Sequence, residues 1–350
     1  MGKLSTKSKI SQASTVKAGS VKKGGIERSE PAAAAPVKDA GRSAGIDVGK
    51  AKLDSAIHNQ SGVWADENDA AGWQAVVERF KAQGVTRVGM EASGGYERGI
   101  AQALRQAGFE VILHQPIQMR AFAKARLQRA KNDRIDAVLI AAFTAILGGR
   151  THKPDPRLTA LWDTLVHLEQ IEADEARHKT RLEHCKDKRV RRMIEADIRR
   201  CRLQSGVEER RLRDHLKQYP DLAEKYELLF SIPGIGSRTA ITLVIAMPEL
   251  GTLSRERIAA LAGLAPFDCD SGDSHGQRRI AGGRARVRKA LYGAAVPAAH
   301  FWNPQLKAVY KRLITAGKTK KQAMVACARK LLIYANTVLA RRSPWQEKTP

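Results

Sequence analysis

The sequence predicts an α/β domain with a mixed sheet, a helical connecting region and a mainly α-helical C-terminal domain. Three observations predict it. Between 43 and 158, short apolar runs rich in β-branched residues alternate with segments whose apolar residues recur at helical spacing. From 159 to 222 the apolar residues thin to one stripe on a strongly charged background. From 223 to 342, apolar helical patterns return, separated by turns bearing Gly and Pro. Residues 1–42 read as a flexible basic tail, with nine Lys/Arg against three Asp/Glu and no apolar signal-peptide core; 343–350 form a short second tail.

The α/β block opens with AGIDVG as a strand, LDSAIHN as a second and SGVWAD as a third. In NDAAGWQAVVERFKAQG, Trp73, Val76, Val77 and Phe80 fall at helical intervals. VTRVGM is again a strand, YERGIAQALRQAG a helix, FEVILHQ a strand and QMRAFAKARLQ a helix, and a last helix starts near Asp133. The order βββαβαβα resembles that of a ribonuclease-H-like domain. Leu161, Leu165, Leu168 and Ile171 then mark the apolar stripe. Between Ile171 and Pro220 fifteen Lys/Arg accompany ten Asp/Glu, a composition suited to ion-paired helices in a coiled coil or helical hairpin. LLFSIPGIGSRTAITLVIAMP reads as helix, glycine turn, helix and resembles a helix-hairpin-helix. Its Gly234 and Gly236 are expected to bring backbone amides close to a phosphate.

The formal charge of +25 implies a polyanionic partner, because so large an excess repels itself in a lone folded chain. No stretch holds eighteen uninterrupted apolar residues, so no membrane partner is expected. Cys185, Cys201, Cys269 and Cys327 are widely spaced without a CxxC pair, which argues against a zinc site or a disulfide framework. The basic residues cluster. Arg120, Lys124, Arg126, Arg129 and Lys131 precede the Asp133 helix, and Arg278, Arg279, Arg284, Arg286, Arg288 and Lys289 crowd around Gly282-Gly283. Between Ser274 and Gln346 no Asp or Glu occurs, so this positive field is expected to face phosphates. Trp302 and Tyr310 are candidates either for stacking on bases or for core packing.

Four carboxylates stand out in this basic chain. Asp47 ends the first apolar strand, and Glu91 ends the VTRVGM strand ahead of a glycine pair. Asp133 and Asp136 are three residues apart at a helix start, which places them on roughly one face. Carboxylates drawn from two strand ends and one helix can hold hard divalent cations and act on a phosphodiester.

The ordered landmarks GIDVGK, MEASGGYE, KNDRIDAVLIA and GLAPFDCDSGDSHGQRRIAGGRARVRKALYGAA resemble those of bacterial insertion-sequence transposases of the family numbered one hundred and ten. The resemblance runs from about Gly45 to Ala340. It implies a RuvC-like domain whose Asp47, Glu91, Asp133 and Asp136 form a DEDD site for Mg²⁺, with Mn²⁺ as an alternative. It also implies a C-terminal domain whose Ser271 is the nucleophile and forms a phosphoserine link; Ser274 is the alternative hydroxyl. The implied partners are double-stranded DNA (element ends or a donor junction, and a target) and a structured noncoding guide, the bridge RNA. A homo-oligomer, dimer or tetramer, is implied, assembled through the 159–222 helices, with different subunits supplying carboxylates and serine. The implied location is the bacterial cytoplasm, at the nucleoid. Piv-like DNA invertases share the residue pattern, so inversion stands beside transposition. A RuvC-like structure-selective endonuclease, using the carboxylates without Ser271, is the remaining alternative.

Overall fold

A computed structural model describes residues 41–128, 132–148, 154–268, 276 and 278–347. The chain divides into two units, 1–153 and 154–350.

The first unit carries β1 (Arg42–Val48), β2 (Lys52–Ile57), β3 (Val63–Glu67), α1 (Ala70–Ala82), β4 (Val85–Glu91), α2 (Arg98–Gln106), β5 (Glu110–His114), α3 (Pro116–Ala125) and α4 (Asp133–Leu147). The sheet order is β3-β2-β1-β4-β5, the ribonuclease-H-like topology that the sequence predicts. Short turns join the antiparallel β1, β2 and β3, whereas the parallel β1–β4 and β4–β5 pairs each need a helical crossover, supplied by α1 and α2. Strand alternation then sorts the two faces of the sheet. Ala44, Ile46, Val48, Leu53, Val88 and Met90 pack with Val76, Phe80, Ile100 and Leu104 of α1 and α2. The opposite face meets α4, so closely that a methyl group at Gly45 would collide with the backbone of Ala137 and Ala141. One at Gly89 would strike the Thr144 hydroxyl.

The second unit begins with α5 (Pro156–His184) and α6 (Lys188–Lys217), a hairpin with Glu175 of α5 ion-paired to Arg202 of α6 at 2.8 Å. The stripe on α5 finds its partner in its own chain. Leu158, Leu161, Leu165 and Leu168 join Leu212 and Leu216 in one core with the helices that follow. Those are α7 (Pro220–Phe230), α8 (Ser237–Ala246), α9 (Arg255–Leu261), α10 (Ala285–Pro297), a π-turn (Ala298–Trp302), α11 (Pro304–Thr315) and α12 (Lys320–Arg341). Between α9 and α10, β6 (Pro266–Phe267) pairs antiparallel with β7 (Arg279–Ile280). α12 is long and apolar enough by composition to cross a membrane, but Cys327, Leu331, Leu332 and Ala335 are fully buried among the other helices. It serves as a core helix.

Candidate active site and basic surfaces

Register and close packing bring the four predicted acids together. Asp47 lies two residues beyond Gly45, and Glu91 two beyond Gly89, so both side chains leave the sheet on the α4 face. The parallel register pairs Gly45 with Gly89 and Ile46 with Met90; its next step sets Asp47 beside Glu91. On α4, Asp133 and Asp136 share a helix face with Ala137, Ile140 and Ala141, the residues that a Gly45 methyl would meet. Asn132 caps the helix by accepting from the Ile135 amide at 2.9 Å, and the positive end of the helix dipole tempers the acids beside it.

The acids feel one another. Burial first, then the charges of Asp136, Asp133, Glu91 and Asp54, push the Asp47 carboxyl up to about 6. Such crowding is unfavourable to the bare fold. Among the described residues, no three His, Cys, Asp or Glu side chains are arranged around one point so as to hold a metal ion.

Three supporting features escaped the sequence reading. Asp54 of β2 lies directly opposite Asp47 and is 2% exposed. One of its oxygens binds Lys52 Nζ at 2.8 Å, while Oδ1 has no hydrogen-bond partner among the described residues. In LDSAI it looks like an ordinary strand acid; only the antiparallel register reveals it. Glu97 closes the turn after Glu91, accepting from Ser93 Oγ at 2.7 Å, Gly95 N at 2.8 Å and Ser93 N at 3.2 Å. Burial opposes its charge, but these bonds outweigh it and hold the carboxyl below the usual range. His114, paired with Glu91 in the β4–β5 register, is buried and driven down to about 4 by desolvation. Its Nε2 lies 2.8 Å from Thr144 Oγ1, whose hydroxyl donates to Ile140 O at 2.7 Å. The hydroxyl proton being committed there, Nε2 carries the hydrogen that Thr144 accepts.

The predicted basic residues separate into two groups. Arg120, Lys124 and Arg126 on or after α3 are exposed, whereas Arg129 and Lys131 lie outside the described residues. So does Ser271, along with Ser274, between β6 and β7 in the chain. The flanks of that segment are joined by the β6–β7 pairing and by an ion pair of 2.6 Å between Asp268 and Arg278. Arg279 and Lys289 are exposed. Arg284 is not free to meet a phosphate in this conformation. It forms two bonds to Glu249, of 2.5 and 2.7 Å, and one to Ala246 O at 3.0 Å. Arg286 is likewise engaged, with both oxygens of Glu169 at 2.8 and 2.9 Å and the Trp162 ring 4.4 Å away. Arg288 donates to Gly282 O at 2.6 Å. In the α7–α8 turn, Gly234 has φ of 103° and packs against Ala298, where a side chain would collide. Gly236, by contrast, faces open space at the start of α8.

A ribonuclease-H-like sheet bearing converged acids, followed by a basic helical unit, fits a class of enzymes that act on nucleic-acid strands. The comparisons with known proteins agree. A family model described as Transposase, for DEDD transposases of the IS110 type, matches residues 44–187. A second, described as Transposase IS116/IS110/IS902 family, matches residues 226–311. A pilin gene-inverting protein of Moraxella bovis is 28% identical over 317 residues, covering 87% of this chain and 97% of its own. Its counterpart in Moraxella lacunata is 29% identical over 266 residues, covering 74% of this chain and 81% of its own. The chain belongs to the IS110 family of transposases and Piv-like invertases, and it is a transposase or site-specific DNA recombinase.

Proposed function

We propose that this recombinase transfers DNA strands through a serine–phosphate intermediate. In this reading Asp47, Glu91, Asp133 and Asp136 would hold Mg²⁺, with Mn²⁺ as a substitute, and Ser271 is the nucleophile. The convergence of Asp47, Glu91, Asp133 and Asp136 where β1 and β4 meet α4 supports the reading. Their oxygens are hard donors, and a divalent cation held there would offset the burial and the mutual repulsion that raise Asp47. When bound, the cation neutralises charge at the phosphate.

The chain's own groups do the rest. Ser271 Oγ bonds to phosphorus as the ester bond to one DNA strand end breaks; the departing oxygen takes up a proton to balance the one serine gives up. A hydroxyl from another strand end reverses the exchange. The number of phosphoester bonds stays constant, so rejoining needs no outside energy source. Exposed Arg279 and Lys289 grip DNA backbone, while base pairing by a structured noncoding guide RNA supplies sequence choice. The substrates are double-stranded DNA at element ends or a donor junction and at a target. A homo-oligomer, dimer or tetramer, holds two such DNAs in the bacterial cytoplasm.

Inversion is the second reading, favoured by the near-complete coverage of the Moraxella bovis gene-inverting relative. Nicked suicide DNA tests the chemistry: it should trap protein on DNA through Ser271, and Ser271→Ala should abolish the adduct. Water-derived 5′-phosphate ends without any adduct would instead show a hydrolytic nuclease. Plasmids with sites in direct or inverted orientation separate integration from inversion.

A further inference from the structure

The π-turn of the second unit displays two aromatic rings that its core does not use. Phe301 is 77% exposed and Trp302 61%, although Ala298 and Ala299 of the same turn are buried. Here the Asn303 amide bonds back five residues to Ala298 O at 2.9 Å, the widened turn that frequently marks functional positions. The turn is anchored. Asn303 is 1% exposed, donates to Pro233 O at 3.2 Å and accepts from the Leu306 amide at 3.1 Å. Tyr310, the other candidate for stacking, packs against the core with its ring edge-to-face on His300 at 5.0 Å. The structure thus separates the two candidates.

Charge selects the occupant. The turn leads into α11, whose Lys307, Lys311 and Arg312 are exposed, and no Asp or Glu occurs from 274 to 346. A second copy docking here by two-fold symmetry would bring this basic field against itself. Nucleotides complement it: phosphates meet the cations and base faces meet the rings. In a duplex those faces are covered by neighbouring pairs. Strand breakage by a DNA recombinase exposes unpaired DNA, whose uncovered base faces are a ligand that exposed rings can stack on. We propose that Phe301 and Trp302 form a stacking platform for unpaired DNA nucleotides, flanked by the Lys307–Arg312 phosphate contacts.

Full-length protein tests this with three labelled probes: a 20-nucleotide dT strand, a duplex of the same length and a 20-nucleotide rU strand. The Phe301→Ala/Trp302→Ala double variant should bind the dT strand at least about tenfold more weakly. Duplex affinity should stay within about twofold, because the basic residues remain. Trp302→Tyr, which keeps a ring, should retain most dT binding, and the thermal midpoint should be unchanged at such exposed positions. Unchanged dT affinity, or equal losses on strand and duplex, would overturn the proposal. A loss confined to rU would reassign the platform to RNA, and a loss accompanied by a smaller mass in light scattering would reassign it to contact between copies. None of these measurements requires strand cleavage. Their failure therefore leaves the serine recombinase reading standing, and failure of that reading leaves the platform.

Discussion

The two units treat charge in opposite ways. Where the sheet of the first meets α4, Asp47 is pushed up to about 6 by burial and by the charges of Asp136, Asp133, Glu91 and Asp54. In the helical unit, acids instead pair arginines: Glu169 with Arg286, Glu172 with Arg238 and Glu249 with Arg284. Repulsion retained at a cost to the fold marks a place kept for chemistry. A guanidinium held by a carboxylate marks scaffolding, even inside a motif whose overall sign suggests DNA.

The largest expected effect tests the chemical half of that contrast. Asp47→Ala should lower strand cleavage by about 1,000-fold or more, equivalent to roughly 4 kcal/mol, while DNA affinity in gel shift changes little. Full cleavage by this variant would remove the acids from the mechanism. Next comes the packing that makes the crowding possible. Gly45→Ala should destabilise the first unit by about 3 kcal/mol, since the new methyl meets backbone rather than a movable side chain. Circular dichroism during thermal unfolding reads this, and an unchanged melt would show that α4 does not sit on β1.

In the second unit, Arg286→Ala should cost about 2 kcal/mol through loss of the two Glu169 bonds and the Trp162 contact. Arg286→Lys should not restore it fully, because an ammonium lacks the planar guanidinium that lies over the Trp162 ring. If Arg286→Ala melts normally and instead weakens DNA binding, the scaffold assignment is lost.

A smaller effect is expected from His114. The folded state holds it neutral, whereas the unfolded chain takes up a proton below about 6.5. Its contribution to stability is complete above about 6.5 and is lost as pH falls toward 4. Asp47 works the other way, its cost growing as pH rises from 3.8 through about 6. His114→Gln should therefore flatten the acid-side fall in melting temperature between pH 6.5 and 4, and an identical pH profile would contradict the burial argument. The smallest change belongs to exposed Lys289. Lys289→Ala should reduce the salt slope of DNA binding by about 1 without moving the melt.

Much of the first unit was legible in its residues. Strand periodicity, helical spacing and the two Asp residues three apart on one helix are local properties, and they place Asp47, Glu91, Asp133 and Asp136 at element ends. Gly45 and Gly89 allow the close approach of α4, yet their spacing alone does not say which helix arrives. Asp54 was illegible because its nearness to Asp47 depends on the antiparallel register. The same limit applies to the stripe Leu161, Leu165, Leu168 and Ile171. The sequence marked the stripe but not what covers it, and Leu212 and Leu216 of the same chain join it in one core.

The sequence by itself determined the order of elements, the positions of the four acids and the basic excess, because each follows from short-range patterning or composition. Only the tertiary structure decided which arginines are engaged and which aromatic is displayed. Arg286 meets Glu169 across 117 residues, and Arg284 meets Glu249 across 35. Trp302 is exposed while Tyr310 packs, because Asn303 ties a π-turn to Pro233 seventy residues earlier. Charge pairing and burial depend on neighbours in space, and local composition does not specify those neighbours.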